Sequence, residues 1–188
     1  METALSILAG LGLAAACGFR VFVPLLVAGI AVKAGYLTPS PEFAWLGSTP
    51  ALVMFSVATL LEVAAYYVPW LDHALDTLAS PAAVVAGSLV AASFAVDVDP
   101  LVRWSLAIIA GGGLAATVQT GSVAARGLSF SMSGGLANPA IATAELGGAV
   151  AASAVAVLAP WLAILGLIAV GMVLVSRLAR RRPARVRV

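Results

Sequence analysis

The chain has 188 residues, 62% of them hydrophobic and only 10% charged, with a mean hydropathy of +1.09 and a net charge of +2. A soluble domain carries about 25% charged residues, so this composition excludes one and points to an integral membrane protein in contact with the lipid bilayer. A single cysteine, Cys17, and a single histidine, His73, exclude a disulfide framework, a multi-cysteine zinc or iron–sulfur site and a histidine-rich metal or haem site.

Met1-Glu2-Thr3 leads directly into apolar sequence with no positive n-region, which argues against a cleaved secretory signal. Ala14-Ala15-Ala16-Cys17 resembles a lipoprotein cleavage box, but the apolar run continues past it, so Cys17 is read as a packed small residue. With about 20 apolar residues needed per span, six helices are predicted. The first covers Thr3 to Val32 and is interrupted by Gly18, Arg20 and Pro24. A loop with Pro39, Pro41 and Pro50 precedes the second, Ala51 to Val68, which Pro69 stops. A polar segment, Leu71-Asp72-His73-Ala74-Leu75-Asp76, leads to the third, Pro81 to Val96. Asp97-Val98-Asp99-Pro100 breaks the chain before the fourth, Leu101 to Thr120. The Gly- and Ser-rich stretch Gly121 to Asn138 is read as a re-entrant loop, followed by a fifth helix, Pro139 to Leu158, and a sixth, Trp161 to Ser176, hinged at Pro160.

Residues 1–176 thus form a single transmembrane domain, and 177–188 a basic tail. Arg177, Arg180, Arg181, Arg182, Arg185 and Arg187 are six of the ten basic residues; without them four cations stand against eight acids, a charge of −4. The positive-inside rule retains such a tail in the cytoplasm, and it is read that way, with weak attraction to anionic headgroups, rather than as a nucleic-acid contact. Six spans place both termini in the cytoplasm, with the connections of Asp72 and Arg126 facing inward and those of Lys33 and Asp97 outward. Frequent alanine and glycine let helix backbones approach closely in lipid, and the same surface admits a homo-oligomer.

Two similarities suggest an internal duplication of 1–96 and 101–176. Ala9-Gly10-Leu11-Gly12-Leu13-Ala14-Ala15 matches Ala110-Gly111-Gly112-Gly113-Leu114-Ala115-Ala116 at six of seven positions. Thr49-Pro50-Ala51 opens the second helix as Asn138-Pro139-Ala140 opens the fifth, and these helices carry Glu62 and Glu145. Two three-helix units cross the membrane in opposite senses, the inverted-repeat plan of transporters and channels.

An ionisable residue at mid-bilayer costs about 2.5 to 3.5 kcal/mol on insertion scales and marks a pairing or a pathway. Arg20, Glu62 and Glu145 are the clear cases, with Arg126, Asp72 and Asp76 at the membrane boundaries. Two readings follow. Arg20 pairs with Glu62 or Glu145 and only fixes helix register, or the same charges line a polar cavity in which a carboxylate couples proton movement to substrate movement. Arg20, with its permanent charge and forked donors, suits an anionic substrate or serves as counter-ion to such an acid.

Asp72 and Asp76 share a helix face at i, i+4, and with His73 they form the candidate metal site; adding Glu62 favours an oxygen-preferring divalent cation such as Mg²⁺, Ca²⁺ or Mn²⁺. The competing reading is a solvated helix start. No other cofactor is predicted. Asn138-Pro139-Ala140 is also the aquaporin pore motif, but Thr49-Pro50-Ala51 lacks the asparagine and the following arginine, and the chain is short for that fold. Asn138 remains a good helix N-cap and Pro139 a good first helical residue, so this terminus can receive an anion or polar group. Enzyme motifs are missing: there is no nucleophile elbow, no phosphate loop followed by lysine and no His-Glu-x-x-His.

Five motifs in order, Gly18-Phe19-Arg20-Val21-Phe22-Val23-Pro24, Leu61-Glu62, Asp72-His73-Ala74-Leu75-Asp76, the triple glycine from Gly111, and Gly134-Gly135-Leu136-Ala137-Asn138-Pro139, resemble a family of small bacterial integral membrane proteins defined as a domain of unknown function. The resemblance covers nearly the whole chain and implies a polytopic inner-membrane protein with no established activity. It leads one to expect histidine and lysine between the triple glycine and Arg126, where this chain has Gln119 and Ser122; that departure speaks against a proton relay or metal there. The expectation is therefore an all-α, six-span bundle acting as a transporter-like or channel-like module for a small solute or ion, with Arg20, Glu62, Arg126, Asn138 and Glu145 along its pathway. The rival is a non-transporting scaffold or accessory subunit with buried ion pairs.

Overall fold

The computed structural model describes residues 2–180, with the side chains of 69–76 and of parts of the last helix outside the described residues, as is the basic stretch 181–188. Among the described residues the chain is all-helical: α1 (Glu2–Ala16), α2 (Phe22–Lys33), a 3-10 helix (Pro41–Gly47), α3 (Thr49–Ala65), α4 (Pro69–Phe94), α5 (Pro100–Leu106), a π-helical segment (Ala107–Gly112), α6 (Gly113–Ser133), α7 (Asn138–Leu158) and α8 (Pro160–Arg180). Among the described residues three stretches are long and apolar enough to cross a membrane, Thr77–Phe94, Pro100–Ser133 and Asn138–Leu158. A fourth arises if the 3-10 helix and α3, bent by 61° at Ser48, count as one broken span.

Local chemistry explains most boundaries. Pro50, Pro69, Pro100, Pro139 and Pro160 all stand in the first turn of a helix, where a missing N–H costs nothing. Ser48 and Asp99 act as N-caps, their side chains accepting from the amides of Ala51 (3.3 Å) and Leu101 (2.9 Å). Gly134, at φ 63°, ends α6 in the left-handed conformation that glycine adopts without steric cost.

Four expectations are corrected. The first predicted helix is two, because the chain turns between Ala16 and Phe22. The third begins at Pro69, and the polar segment Leu71–Asp76 is its first part, with Pro81 accommodated inside the helix. The re-entrant loop from Gly121 to Asn138 does not exist as such: α6 is helical through Ser133, leaving only a turn at 134–137. Within this stretch Ser122 and Arg126 share one buried face with Gln119 just before it, at spacings of three and four, while Gly121, Gly127 and Ser131 are exposed. Finally, Ala137 occupies the cap position of α7, and Asn138 is its first residue.

The core is made of small side chains. α1 lies against α4, α6, α7, α8 and the π-helical segment, and its Ala9, Leu13 and Ala14, with Cys17 just after it, are fully buried. A Cβ on Gly111 would stand 2.5 Å from the Ala91 Cβ and 2.9 Å from the Gly87 carbonyl, so the π-helical segment and α4 touch backbone to backbone. Gly18 plays the same part at the end of α1, where a Cβ would meet the Ala115 carbonyl at 2.5 Å. At one end of the bundle the 3-10 helix is tied to α5 by an ion pair between Glu42 and Arg103 and by Phe43 against Trp104, ring centroids 6.3 Å apart.

Candidate functional site

Arg20 sits in the break between α1 and α2, 2% exposed, and is the largest fully buried side chain. The break brings it to α7, where its Nη2 donates to the Ala142 carbonyl at 2.9 Å and lies 3.4 Å from Glu145 Oε2. Glu145 also pairs with Arg126 of α6, whose Nη2 reaches Oε2 and whose Nε donates to Oε1 at 3.2 Å, and it accepts a hydrogen bond from the Ser122 hydroxyl. Two cations thus converge on one carboxylate. Both guanidiniums also rest against the ring of Tyr66, the C-cap of α3, with Arg20 Cζ 3.8 Å and Arg126 Cζ 4.1 Å from its centroid. The quadrupole of a desolvated ring contributes up to about 2 kcal/mol for each such contact.

Glu62, one turn before Tyr66 on α3, takes a different partner from the one expected. Its carboxylate accepts the amide of Val21 at 2.7 Å and that of Phe22 at 3.1 Å, capping α2 from the neighbouring helix. α2 has no side-chain cap from its own sequence. The first amides of a helix carry partial positive charge and lack intrahelical acceptors, so a carboxylate is the natural partner for them in a medium without water. Arg20 and Arg126 both lie close enough to act on the Glu62 charge. Counted in their charged forms, the two guanidiniums and two carboxylates sum to zero.

Of the residues singled out in the sequence, the structure brings together Arg20, Glu62, Arg126 and Glu145. Asn138 lies on the same α7 face, buried, two turns before Glu145. The side chains of Asp72, His73 and Asp76 lie outside the described residues, and among the described residues no group of three or more His, Cys, Asp or Glu is placed to hold a metal. Sequence reasoning missed Tyr66 and the contact of Ser122. The signals were present: Glu62 and Tyr66 are i, i+4, and Ser122 and Arg126 likewise, so each polar residue shares a helix face with a charged one.

Two cavities adjoin this centre. One, of about 430 Å³, lies between the start of α2 and helices α3 and α4, walled by Val21, Phe22, Leu61, Leu78 and Ala82 with Glu62 and Tyr66. The other, of about 520 Å³, lies among α6, α7 and α8, walled by Phe19, Leu114, Val118, Ile141 and Leu167 with Ser122 and Glu145. The α1–α2 break contributes to both, and each holds one of the two glutamates.

The model of a protein family, a domain of unknown function (DUF4126), matches residues 7–181. The chain belongs to this family. No curated protein and no solved structure matches it. This DUF4126 chain combines a buried charge centre with helices apolar enough to span a membrane.

Proposed function

We propose that the chain is a transport-type module of the bacterial inner membrane that carries a small solute or ion past the Arg20, Glu62, Arg126 and Glu145 centre. One observation carries this reading: a helix broken beside the charge centre, with each glutamate set in the wall of a separate cavity. Transporters build sites in this way, from discontinuous helices whose N-terminal amides face an anionic group. Six spans follow if α1 with α2, the 3-10 helix with α3, α4, α5 with α6, α7 and α8 each cross once, which returns both termini to the cytoplasm. That Glu62 and Glu145, on the helices that open alike, both reach one centre supports the inverted repeat.

A second reading has its own support. Arg20, Arg126 and Glu145 are almost wholly buried and bonded to one another, as in a scaffold held by structural ion pairs. Flux separates the two. The purified chain in lipid vesicles is expected to pass at least one of a panel of small anions, cations and neutral solutes faster than protein-free vesicles, with Glu62→Gln and Arg20→Ala slowing it. Folded protein that passes none of the panel overturns transport and leaves the scaffold.

A further inference from the structure

The N-terminus of α2 is occupied by the protein's own carboxylate, and the surroundings of that contact point to what else fits there. Arg20 immediately precedes the two capped amides. Its Nη2 is engaged by Ala142 and Glu145, but Nε and Nη1, both buried, have no hydrogen-bond partner among the described residues. A buried guanidinium with unused donors is costly, and an anion is the group that relieves it. Arg20 does not itself line the 430 Å³ cavity, but its guanidinium lies on Tyr66, which with Glu62 closes the inner end of that almost wholly apolar space. That volume falls in the range of roughly 300 to 1,000 Å³ typical of small-molecule sites.

Resting on the transport reading, we propose that Arg20 and the amides of Val21 and Phe22 form a binding site for a monocarboxylate with an apolar body. Glu62 holds the carboxylate position in the unloaded state. The substrate enters when Glu62 takes up a proton: the neutral acid, left with one weaker acceptor oxygen, is displaced from the two amides by the incoming anion, whose apolar part lies in the cavity against Phe22, Leu61 and Leu78. One anion and one proton arrive together, so the charge of the centre is unchanged and no uncompensated ion is created in the bilayer. The groups that face Glu62 are Arg20 and Cys17 from the α1–α2 break, Arg126 from α6 and Tyr66 on its own helix, with Glu145 of α7 held beyond the two arginines. Asp72, His73 and Asp76 of α4 have side chains outside the described residues.

Calorimetric titration of the purified full-length chain in mild detergent tests this with four probes: benzoate, benzyl alcohol, benzylammonium and formate. Benzoate is expected to bind with uptake of one proton, read from two buffers of different ionisation enthalpy, whereas benzyl alcohol and benzylammonium do not bind and formate binds more weakly. Glu62→Gln, a permanently uncharged stand-in for the protonated acid, keeps benzoate binding but abolishes proton uptake. Arg20→Ala weakens binding about ten- to hundredfold, the worth of a hydrogen bond to a charged group. Benzoate that fails to bind the wild-type chain, binds no better than benzyl alcohol, or binds without a proton overturns the proposal. Solute flux without benzoate binding would leave transport standing and remove this site; benzoate binding without any flux would do the reverse.

Discussion

Glu62 accepts the Val21 amide at 2.7 Å across a sequence separation of 41 residues, so a carboxylate on α3 determines where α2 begins. This contact substitutes for the cap that the local sequence of α2 lacks, and it holds Arg20, one residue earlier, in the break.

Removing that cap should loosen the break. Glu62→Ala leaves two buried amides without an acceptor and is expected to cost about 1–3 kcal/mol for each. Glu62→Gln keeps one acceptor oxygen and should fall well short of that loss. Equilibrium unfolding of the purified variants in mixed micelles measures both, and equal stabilities for the alanine and glutamine variants would contradict the capping role.

Glu145 is the hub of the ion pairs, and the consequence is directional. Glu145→Leu strands two buried guanidiniums, and breaking a buried pair by removing one partner costs about 3–5 kcal/mol. Arg126→Leu strands less, because Arg20 still neutralises Glu145 at 3.4 Å. The double variant Arg126→Leu/Glu145→Leu is therefore expected to lose less than the two singles combined. A double-mutant cycle gives the coupling, and additive losses would show that the pair acts independently.

Tyr66 serves the two arginines through its ring. Tyr66→Phe should retain most of the stability, while Tyr66→Leu, similar in bulk but without the quadrupole, should lose about 1–2 kcal/mol per guanidinium contact. Unfolding midpoints for the two variants provide the comparison; a phenylalanine variant as weak as leucine would shift the role to the hydroxyl.

Within the triple glycine, neighbouring positions have opposite tolerances. Alanine at Gly111 collides with Ala91 and the Gly87 carbonyl of α4 and should cost about 1–3 kcal/mol by overpacking. A Cβ on Gly113 meets nothing within 4 Å, so Gly113→Ala should be neutral or stabilise the helix by about 0.5–1 kcal/mol. Thermal unfolding of the two variants side by side checks the contrast, and equal behaviour would contradict the close approach of α4 to the π-helical segment.

Several elements were legible because their signals are local. Apolar composition set the medium, and Pro100, Pro139 and Pro160 marked helix starts, since a proline in the first turn forfeits no hydrogen bond. Pro81 misled for the same reason: a proline inside a membrane helix looks in sequence like one that opens it. The stretch after Gly121 looked like a loop because its helix turns Ser122 and Arg126 toward protein and carries Gly127, Ser129, Ser131 and Ser133 as well, which gives it the hydropathy of one.

The sequence by itself determined that this is an all-helical chain for a membrane and that Arg20, Glu62, Arg126 and Glu145 had to be reconciled inside it, since the bilayer offers no solvent for a lone charge. Only the tertiary structure decided the partners. Arg20 went to Glu145 and Glu62 to the amides of α2 because the close approach of α1 to α4 and α7, allowed by alanine and glycine, fixes which group stands within hydrogen-bond reach. Charge requires that the ions be neutralised, but distance selects by which neighbour, and distances between helices are a property of packing that no spacing along the chain contains.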